Sequence, residues 1–399
     1  IVLDPSEGGN IGTLTDYEKE LVRQWILYGA KDAAAGEVVD TALINEYYSG
    51  NGIATMPNPP AAPCKGKGFQ IHMGPYFIAP GNPIEELEYH LKYNLQLADS
   101  VEVNRVDIIM GDNYSHHFIL YQIENGQENN VPDGLVLTGS HQYDQFLTGV
   151  QFSDSLILPK GTAFSWPKNT YINLNSHHIN ATTSVLGCEV YINIYTQPKG
   201  FAKQIMKIDL LLGALFSLYV PNDSNTYTYQ DSYSYPADIF VWGLSSHTHQ
   251  WATDFDIYQM NVDGSRGAHY FDASNIDGIP TDAGGVFIGY NYELPPARVF
   301  NSFLHIPQNE GLIQEASWIN NTPGPFSFVT WGVTSEDEMM IMVPMYVTDT
   351  TGLANAPVYS GSCTADIECV ATDVKENAIS DELELKIYPN PFTENVNII

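Results

Sequence analysis

The stretch YINLNSHHINATTSVLGCEVYINIY, residues 171–195, decides the fold class. It holds two runs, Tyr171–Asn175 and Glu189–Tyr195, that are rich in β-branched and aromatic residues and are separated by a polar turn. Such runs are typical of β-strands. Similar runs recur from Phe69 onward with Gly, Pro, Asn and Asp between them, and without a helical period. The sequence therefore predicts an all-β protein built of sandwiches.

The predicted strands fall into two blocks of similar size. Residues 59–200 and residues 201–350 each hold enough strand-like runs for one sandwich, with a hinge near residues 198–203. Residues 1–58 contain one amphipathic helix, which starts at a capping box of Thr15 and Glu18 and is expected to stop at Gly29. Residues 351–383 form a polar linker, and residues 384–399 a final strand-like segment. We therefore expect a short helical segment followed by two tandem sandwiches.

The net negative charge of the chain argues against negatively charged partners. Asp and Glu total 47 against 16 Lys and Arg, which gives a formal net charge of −31. Such a field repels phosphate backbones and anionic membranes, so we expect no nucleic-acid partner. The sequence has no apolar run of about 18 residues, so we predict no transmembrane segment. It opens at Ile1 without a starting Met or a signal peptide, and we interpret it as a fragment of a longer precursor.

The four cysteines favour disulfides over a zinc or redox motif, because none shows the CxxC spacing. Three pairings are possible. We favour Cys64–Cys188 and Cys363–Cys369, because each pair lies within one predicted domain. The alternative is four free thiols.

Histidines supply the candidate metal ligands, because six of the eleven fall in three tight pairs. Neighbours on a strand face opposite ways, so an adjacent pair shares one ion only at a bulge or a strand end, and binding through different ring nitrogens would also help. Histidines two apart point to the same face and form a ready chelate. One such pair alone is usually a surface or core feature, but three pairs in one all-β chain favour metal binding. The pairs are His116–His117, His177–His178 and His247–His249.

A methionine decides which metal the histidines would take. Met339 lies in a methionine-rich run that composition alone would assign to the core. Imidazoles alone suit copper or zinc, whereas imidazole together with a thioether suits copper that cycles through Cu(I). If Met339 meets His247 and His249, the ligand set therefore favours copper.

Four short motifs contain the candidate ligands, and they follow one another as SHHF at 115–118, SHH at 176–178, HTH at 247–249 and DEM at 337–339. In order and spacing they resemble the type II copper, ascorbate-dependent monooxygenases, the group of peptidylglycine α-hydroxylating and dopamine β-monooxygenases. The resemblance covers about residues 69–347 and implies two jelly-roll sandwiches that face each other across a cleft. It also implies two copper ions per chain, one on His116, His117 and His177, the other on His247, His249 and Met339.

The resemblance implies hydroxylation of a C–H bond of a small organic substrate. Ascorbate or another one-electron donor would reduce both coppers. Dioxygen would bind at the site of His247, His249 and Met339, where hydrogen is abstracted, and the second electron would come from the three-histidine site. The softness of Met339 would favour Cu(I) before oxygen arrives.

Three positions depart from the family pattern. His178 stands where the family usually has Tyr, so we rank it as a neighbour of the first site and not as a ligand. Peptide-processing members have an Arg two residues before HTH and a Tyr four residues after the ligand Met. Here these positions are Ser245 and Val343. We therefore do not expect a glycine-extended peptide as the substrate.

Two flanking segments bear on location and on electron supply. IYPNPF at 387–392 resembles the start of a type IX secretion sorting domain, which implies a secreted or cell-surface protein of the Bacteroidetes. An extracellular protein also favours disulfides over free thiols. The N-terminal helix resembles the last helix of a bacterial c-type cytochrome domain. A haem domain upstream of Ile1 that feeds electrons to the coppers is therefore a hypothesis.

Three functions remain open on the sequence alone: a secreted copper monooxygenase, a copper-binding or copper-storing surface protein without turnover, and a sandwich scaffold that binds glycans or proteins. The presence of every ligand type argues against the scaffold. The remaining histidines are interpreted as structural or surface residues; they are His72, His90, His141, His269 and His305.

Overall fold

The structure is a computed structural model of the 399-residue chain. It describes residues 14–27, 41–81, 87–111, 114–131, 134–137, 143–273, 292, 297–321, 328–332 and 336–354. The predicted linker beyond residue 354, the sorting segment and the Cys363–Cys369 pair lie outside these residues.

A short helical segment precedes the strands, as predicted. It consists of α1 (Asp16–Leu27), α2 (Thr41–Glu46) and a π-helical turn over Tyr47–Asn51. The capping box is confirmed, because the Thr15 amide donates to Glu18 Oε2 (2.7 Å) and the Glu18 amide donates to Thr15 Oγ1 (3.2 Å). Gly29, the predicted stop, lies outside the described residues. No described helix has both the length and the apolar character needed to cross a membrane.

The described residues hold twenty-three strands after this segment. Those of the first half are β1 (Gly52–Ala54), β2 (Gly68–Ile78), β3 (Leu87–Asn94), β4 (Val101–Ile109), β5 (Ser115–Ile123), β6 (Gly134–Leu137), β7 (Asp144–Val150), β8 (Asp154–Ile157), β9 (Thr162–Trp166), β10 (Tyr171–His178), β11 (Val185–Pro198) and β12 (Gln204–Ile205). Those of the second half are β13 (Lys207–Ile208), β14 (Leu211–Leu212), β15 (Tyr219–Pro221), β16 (Thr226–Ser234), β17 (Ile239–His247), β18 (Ala252–Met260), β19 (Arg266–Asp272), β20 (Ala297–Ile306), β21 (Gly311–Ile319), β22 (Phe328–Thr330) and β23 (Ile341–Val347).

The strand order of each half is that of a jelly roll. In the first half one sheet has the central order β2-β11-β4-β9, and the other runs β6-β3-β10-β5-β7. The second half repeats this plan with β14-β23-β17-β20 in one sheet and β16-β21-β18-β19 in the other. In both halves the main strands, taken in chain order, place the first, eighth, third and sixth in one sheet and the second, seventh, fourth and fifth in the other. The prediction of an all-β chain with two tandem jelly-roll sandwiches is confirmed.

Strand β23 shows how the two sandwiches meet. Met340, Met342 and Tyr346 point into the core of the second sandwich. Ile341 and Val343 point the other way and join the hydrophobic cluster of the first sandwich. This alternation is the two-residue period of a strand buried on both faces. The sheet of β23 and β17 therefore lies between its own sandwich and the first one, and β13 also contacts β7 of the first sandwich.

The predicted Cys64–Cys188 disulfide is wrong. Cys188 is a buried thiol in the core of the first sandwich. It lies near the start of β11, whereas Cys64 precedes Gly68, which pairs with Tyr195 near the other end of that strand. At about 3.3 Å per residue, the part of β11 from Cys188 to Tyr195 spans about 23 Å, far beyond the roughly 4.4–6.8 Å that a disulfide spans between Cα atoms.

Candidate metal centre

A β-bulge brings the first three histidines together. His177 on β10 pairs directly with His117 on β5, but the next residue, His178, pairs with Ser115. His116 is therefore an extra residue on β5, opposite no single partner. A bulge is one of the arrangements by which an adjacent pair of histidines can face one ion, so the condition set by the sequence is met.

The resulting cluster has the dimensions of a metal site. His116, His117 and His177 each offer one ring nitrogen, and these atoms lie within 4.8 Å of one another. Ring centroids are 5.0 Å apart for His116 and His177, 5.3 Å for His117 and His177, and 5.5 Å for His116 and His117. All three side chains are partly buried. The predicted three-histidine group is thus one cluster in space.

A buried polar network lies behind His117. The Nε2 atom of His117 is 2.9 Å from Asn175 Oδ1 and 3.3 Å from Glu88 Oε1. Asn175 in turn donates through Nδ2 to Glu88 Oε2 (2.6 Å). His90 extends the network, with Nε2 3.3 Å from Glu88 Oε2 and Nδ1 3.2 Å from Asn173 Oδ1. The side chains of Glu88, His90, Asn173 and Asn175 are all buried.

His247 and His249 form the second group, at the end of β17. Their ring centroids are 5.2 Å apart. His247 pairs with Ile341 of β23 and therefore shares its face. That face points toward the first sandwich, because Ile341 belongs to its hydrophobic cluster. The two histidine groups thus face each other across the contact between the sandwiches.

Met339 and His249 lie just beyond the paired part of β17 and β23. The ladder ends at the pair His247 and Ile341, with His249 two residues after His247 and Met339 two residues before Ile341. Met339 is partly buried against the cluster of the first sandwich. Glu338 fixes the backbone that follows β17. Its side chain accepts hydrogen bonds from the His249 amide (2.8 Å) and the Trp251 amide (2.6 Å).

Burial lowers the pKa of one histidine in each group. It lowers the pKa of His116 to about 4, and the nearby imidazoles of His117 and His249 add to that effect. Burial also lowers the pKa of His247 well below its usual value, with further contributions from His249, His117 and His116. Both imidazoles are therefore neutral at pH 7, which is the form that binds a metal ion.

His178 is not part of the cluster, in agreement with its rank as a neighbour. Strand alternation turns it into the first sandwich, where it is 1% exposed. Its Nδ1 atom lies 2.7 Å from the Tyr76 hydroxyl and 3.2 Å from Ser176 Oγ. It therefore belongs to a core hydrogen-bond network.

The other histidines mostly match their predicted roles. His72, His269 and His305 are at the surface, each beside one carboxylate. His269 also lies close enough to Asp256 and Asp272 for the three to form a possible cation site, but its Nε2 is already 2.7 Å from Asp256 Oδ1. His141 lies outside the described residues. His90 is structural, as expected, although its place directly behind a candidate ligand was not predicted.

Sequence reasoning missed the acidic residues that support both groups. Glu88 is far from the histidine motifs in the chain, and only the pairing of β3, β10 and β5 brings it to His117. A partial signal was present in Glu88 and His90, since polar residues two apart on a strand share a face. Glu338 is part of the DEM motif, but it was passed over in favour of the neighbouring methionine.

Ser245 and Val343, two of the positions that depart from the pattern of the copper monooxygenases, are neighbours in space. Ser245 and Val343 are paired across β17 and β23, two residues before His247 and two after Ile341. They share the face that carries His247. Neither residue carries a charge, and Val343 is buried.

Comparisons with known proteins place the chain in no described family. No family model matches it, and no curated protein matches it. Among solved structures, it is similar to the major capsid protein P2 of bacteriophage PM2, with 9% identity over 72% of this chain and 100% of that chain and a TM-score of 0.34. It is also similar to a protein of Sulfolobus turreted icosahedral virus (8% identity, 71% and 60%, TM-score 0.18) and to infectious bursal disease virus VP2 (11% identity, 68% and 75%, TM-score 0.19). Likenesses this weak carry no information about function.

Proposed function

We propose that this protein is a secreted dicopper monooxygenase, which hydroxylates a C–H bond of a small organic substrate with dioxygen and an external one-electron donor. The observation that carries the proposal is the convergence of His116, His117 and His177 on one point, opposite the pair His247 and His249. Five motif histidines from three separate segments lie on the two sides of one contact between two jelly rolls. The resemblance of the four motifs to the type II copper monooxygenases supplies the reaction class.

The donor atoms fit copper. Three imidazoles at one site suit copper or zinc, whereas His247 and His249 with the Met339 thioether form a softer set that favours copper over zinc. The lowered pKa of His116 and that of His247 keep protons from competing with the metal near pH 7. In the proposal His116, His117 and His177 hold one ion, and the second set holds the other.

The reaction needs two electrons and two protons besides its substrates. One oxygen atom of O₂ enters the C–H bond as a hydroxyl group, and the other leaves as water. Copper, when bound, supplies one-electron transfer and a place for dioxygen to be reduced. The chain holds the imidazoles of His116 and His247 neutral, orients the histidines of both groups, and keeps the second group partly buried. Ascorbate or a cytochrome-type domain upstream of Ile1 is the proposed electron donor.

The residues near the second group describe the substrate only by class. Ser245 and Val343 are neutral where the peptide-processing enzymes carry Arg and Tyr, so these two positions offer a substrate carboxylate no charged partner. We therefore propose a neutral organic substrate. Export through the type IX pathway, proposed from residues 387–392, agrees with a small molecule met outside the cell.

Copper loading followed by an oxygen-uptake assay tests the proposal. The purified chain is expected to bind two copper ions and, once reduced by ascorbate, to consume oxygen in step with a hydroxylated product from a panel of neutral substrates. Two bound coppers without coupled product across the panel would favour copper storage. Copper binding near zero would overturn both copper functions and leave the scaffold that binds glycans or proteins.

A further inference from the structure

The buried network behind His117 determines which ring nitrogen of this histidine carries the hydrogen. The Nε2 atom of His117 faces two oxygens, Asn175 Oδ1 at 2.9 Å and Glu88 Oε1 at 3.3 Å. The orientation of the Asn175 amide is fixed independently, because its Nδ2 donates to Glu88 Oε2 at 2.6 Å. A nitrogen that faces only acceptors must carry the hydrogen. His117 is therefore held with its proton on Nε2.

We propose that Glu88, together with Asn175, positions His117 so that Nδ1 is the atom that binds the copper ion of the three-histidine site. A neutral imidazole has one N–H and one lone pair. With Nε2–H donated to Glu88 and Asn175, the lone pair of His117 is on Nδ1. This carboxylate–histidine–metal arrangement fixes both the tautomer and the ring orientation of a ligand. The inference rests on the proposed function, since it names the atom that takes the copper ion.

The bulge explains why this selection is needed. His116 and His117 are consecutive on β5, so their rings reach the cluster from neighbouring backbone positions, with ring centroids 5.5 Å apart. Nδ1 is closer to the backbone than Nε2, so the choice of ring nitrogen shifts the donor atom within the cluster. The other end of the ring is then free to reach the buried carboxylate of Glu88, which lies one strand beyond Asn175.

The network continues away from the metal centre and makes Glu88 hard to move. His90 Nε2 is 3.3 Å from Glu88 Oε2, and Asn173 Nδ2 donates to Asp144 Oδ2 at 2.9 Å. Glu88 is 5% exposed, and His90 and Asn173 are more deeply buried. Packed polar side chains with satisfied hydrogen bonds have little freedom to rearrange. Glu88 is thus a rigid support for His117 and is itself too remote to be a ligand when His117 is one.

The experiment compares Glu88→Gln with Glu102→Gln in the full chain. Glu102 is a matched control, because it is a buried glutamate of the same sandwich whose carboxylate accepts hydrogen bonds from the Gly200 and Ala202 amides. Competition titration of Cu(II) against a chelator is expected to show a 10- to 100-fold weaker three-histidine site in Glu88→Gln, on the order found for partners of metal ligands. The other site, and both sites of Glu102→Gln, are expected to be unchanged.

The imidazole tautomer provides a second readout, independent of activity and of metal. Nitrogen NMR of metal-free protein labelled at histidine is expected to show His117 protonated at Nε2 in the wild type, and a mixture of tautomers in Glu88→Gln. A wild-type His117 protonated at Nδ1 would overturn the inference even if the variant did not fold. An unchanged copper affinity with an unchanged tautomer in folded Glu88→Gln would do so as well. Wild-type protein that binds no copper would instead overturn the proposed function, and with it this inference.

Discussion

The two candidate sites are supported by opposite means. The three-histidine site lies within a sheet, where a bulge on β5 and a direct pair between His117 and His177 set the positions of the ligands. The second site lies where β17 ends and β23 begins, so His249 and Met339 are both outside the regular ladder. One site is thus built by sheet register, and the other by the turns that flank it.

The supporting carboxylates differ in the same way. Glu88 contacts a ligand ring directly, through His117 Nε2. Glu338 contacts backbone instead, accepting from the amides of His249 and Trp251. A carboxylate on the ring controls the tautomer of a ligand, whereas a carboxylate on the backbone controls the path of the loop that carries it. The comparison suggests a fixed first site and a second site whose geometry depends on one buried acid.

The largest effect is expected from removing one ligand of each site in turn. His177→Ala and His249→Ala should each reduce bound copper from two ions to one, because the two ligand sets lie on different sandwiches. Copper content by elemental analysis, with Cu(II) electron paramagnetic resonance to identify the remaining site, checks this. Loss of both ions in either variant would show a single shared site and would contradict the assignment of two separate sites.

Glu338→Ala should be the most destabilising of the single substitutions considered. It leaves the buried amides of His249 and Trp251 without their acceptor, at a cost of roughly 1–3 kcal/mol for each unsatisfied group. We expect the metal-free protein to lose about 3 kcal/mol in urea unfolding. Exposed Glu336, two residues earlier, is the control, and its replacement by Ala should change stability by less than about 0.5 kcal/mol. Equal losses in the two variants would contradict the role given to Glu338.

Substitution of His177 and of His178 should have opposite effects on copper binding and on stability. His178→Ala removes a buried side chain and one of the two partners of the Tyr76 hydroxyl, the other being Ser176 Oγ, and should cost about 2 kcal/mol while both coppers remain bound. His177→Ala should have the reverse profile, with one copper lost and stability nearly kept. Thermal unfolding of the metal-free variants beside copper analysis measures both. A loss of copper in His178→Ala would place that residue among the ligands after all.

How far the sequence predicts these sites follows from the range of each interaction. A bulge or a strand end could be anticipated, because consecutive histidines within a regular strand face opposite ways, and the pairing of β5 with β10 shows that it is a bulge. The jelly rolls were implied by the recurring strands and the motif order. Glu88 could not be anticipated, because its contact with His117 depends on the register of three strands. The Cys64–Cys188 pairing failed for the same reason, since proximity within a domain does not place two residues at the same end of a strand.

Met339→Leu tests the soft donor of the second site. Leucine keeps most of the volume but removes the sulfur, so Cu(I) affinity at this site should fall about tenfold while Cu(II) binding changes little. Turnover should fall more than total copper content. X-ray absorption of the reduced protein should lose its copper–sulfur contribution. Met345→Leu is a matched control, because Met345 is also partly buried against the cluster of the first sandwich. Loss of the sulfur signal in the control and not in Met339→Leu would move the ligand to Met345.

The smallest effect concerns Asp209, which enters the second sandwich beside the strand that begins just after Met339. Its amide donates to Pro344 O (3.2 Å). Burial raises the pKa of Asp209, while a hydrogen bond from Tyr346 and the charge of Lys207 partly oppose the shift. A carboxyl whose pKa is higher in the folded protein binds protons more readily there. Its contribution to stability is therefore complete below its unfolded pKa of about 3.9 and is lost as the pH rises through the folded pKa.

Asp209→Asn removes this dependence with little change in shape. The wild type and the variant should be compared by thermal unfolding without metal from pH 4 to pH 8. The variant should gain stability relative to the wild type as the pH rises, and the gain should level off once Asp209 is fully ionised. Copper binding at both sites should stay the same, because Asp209 contacts neither ligand set in the described structure. A difference that shrinks with rising pH would show that Asp209 is stabilised as a carboxylate and would reverse the sign argued here.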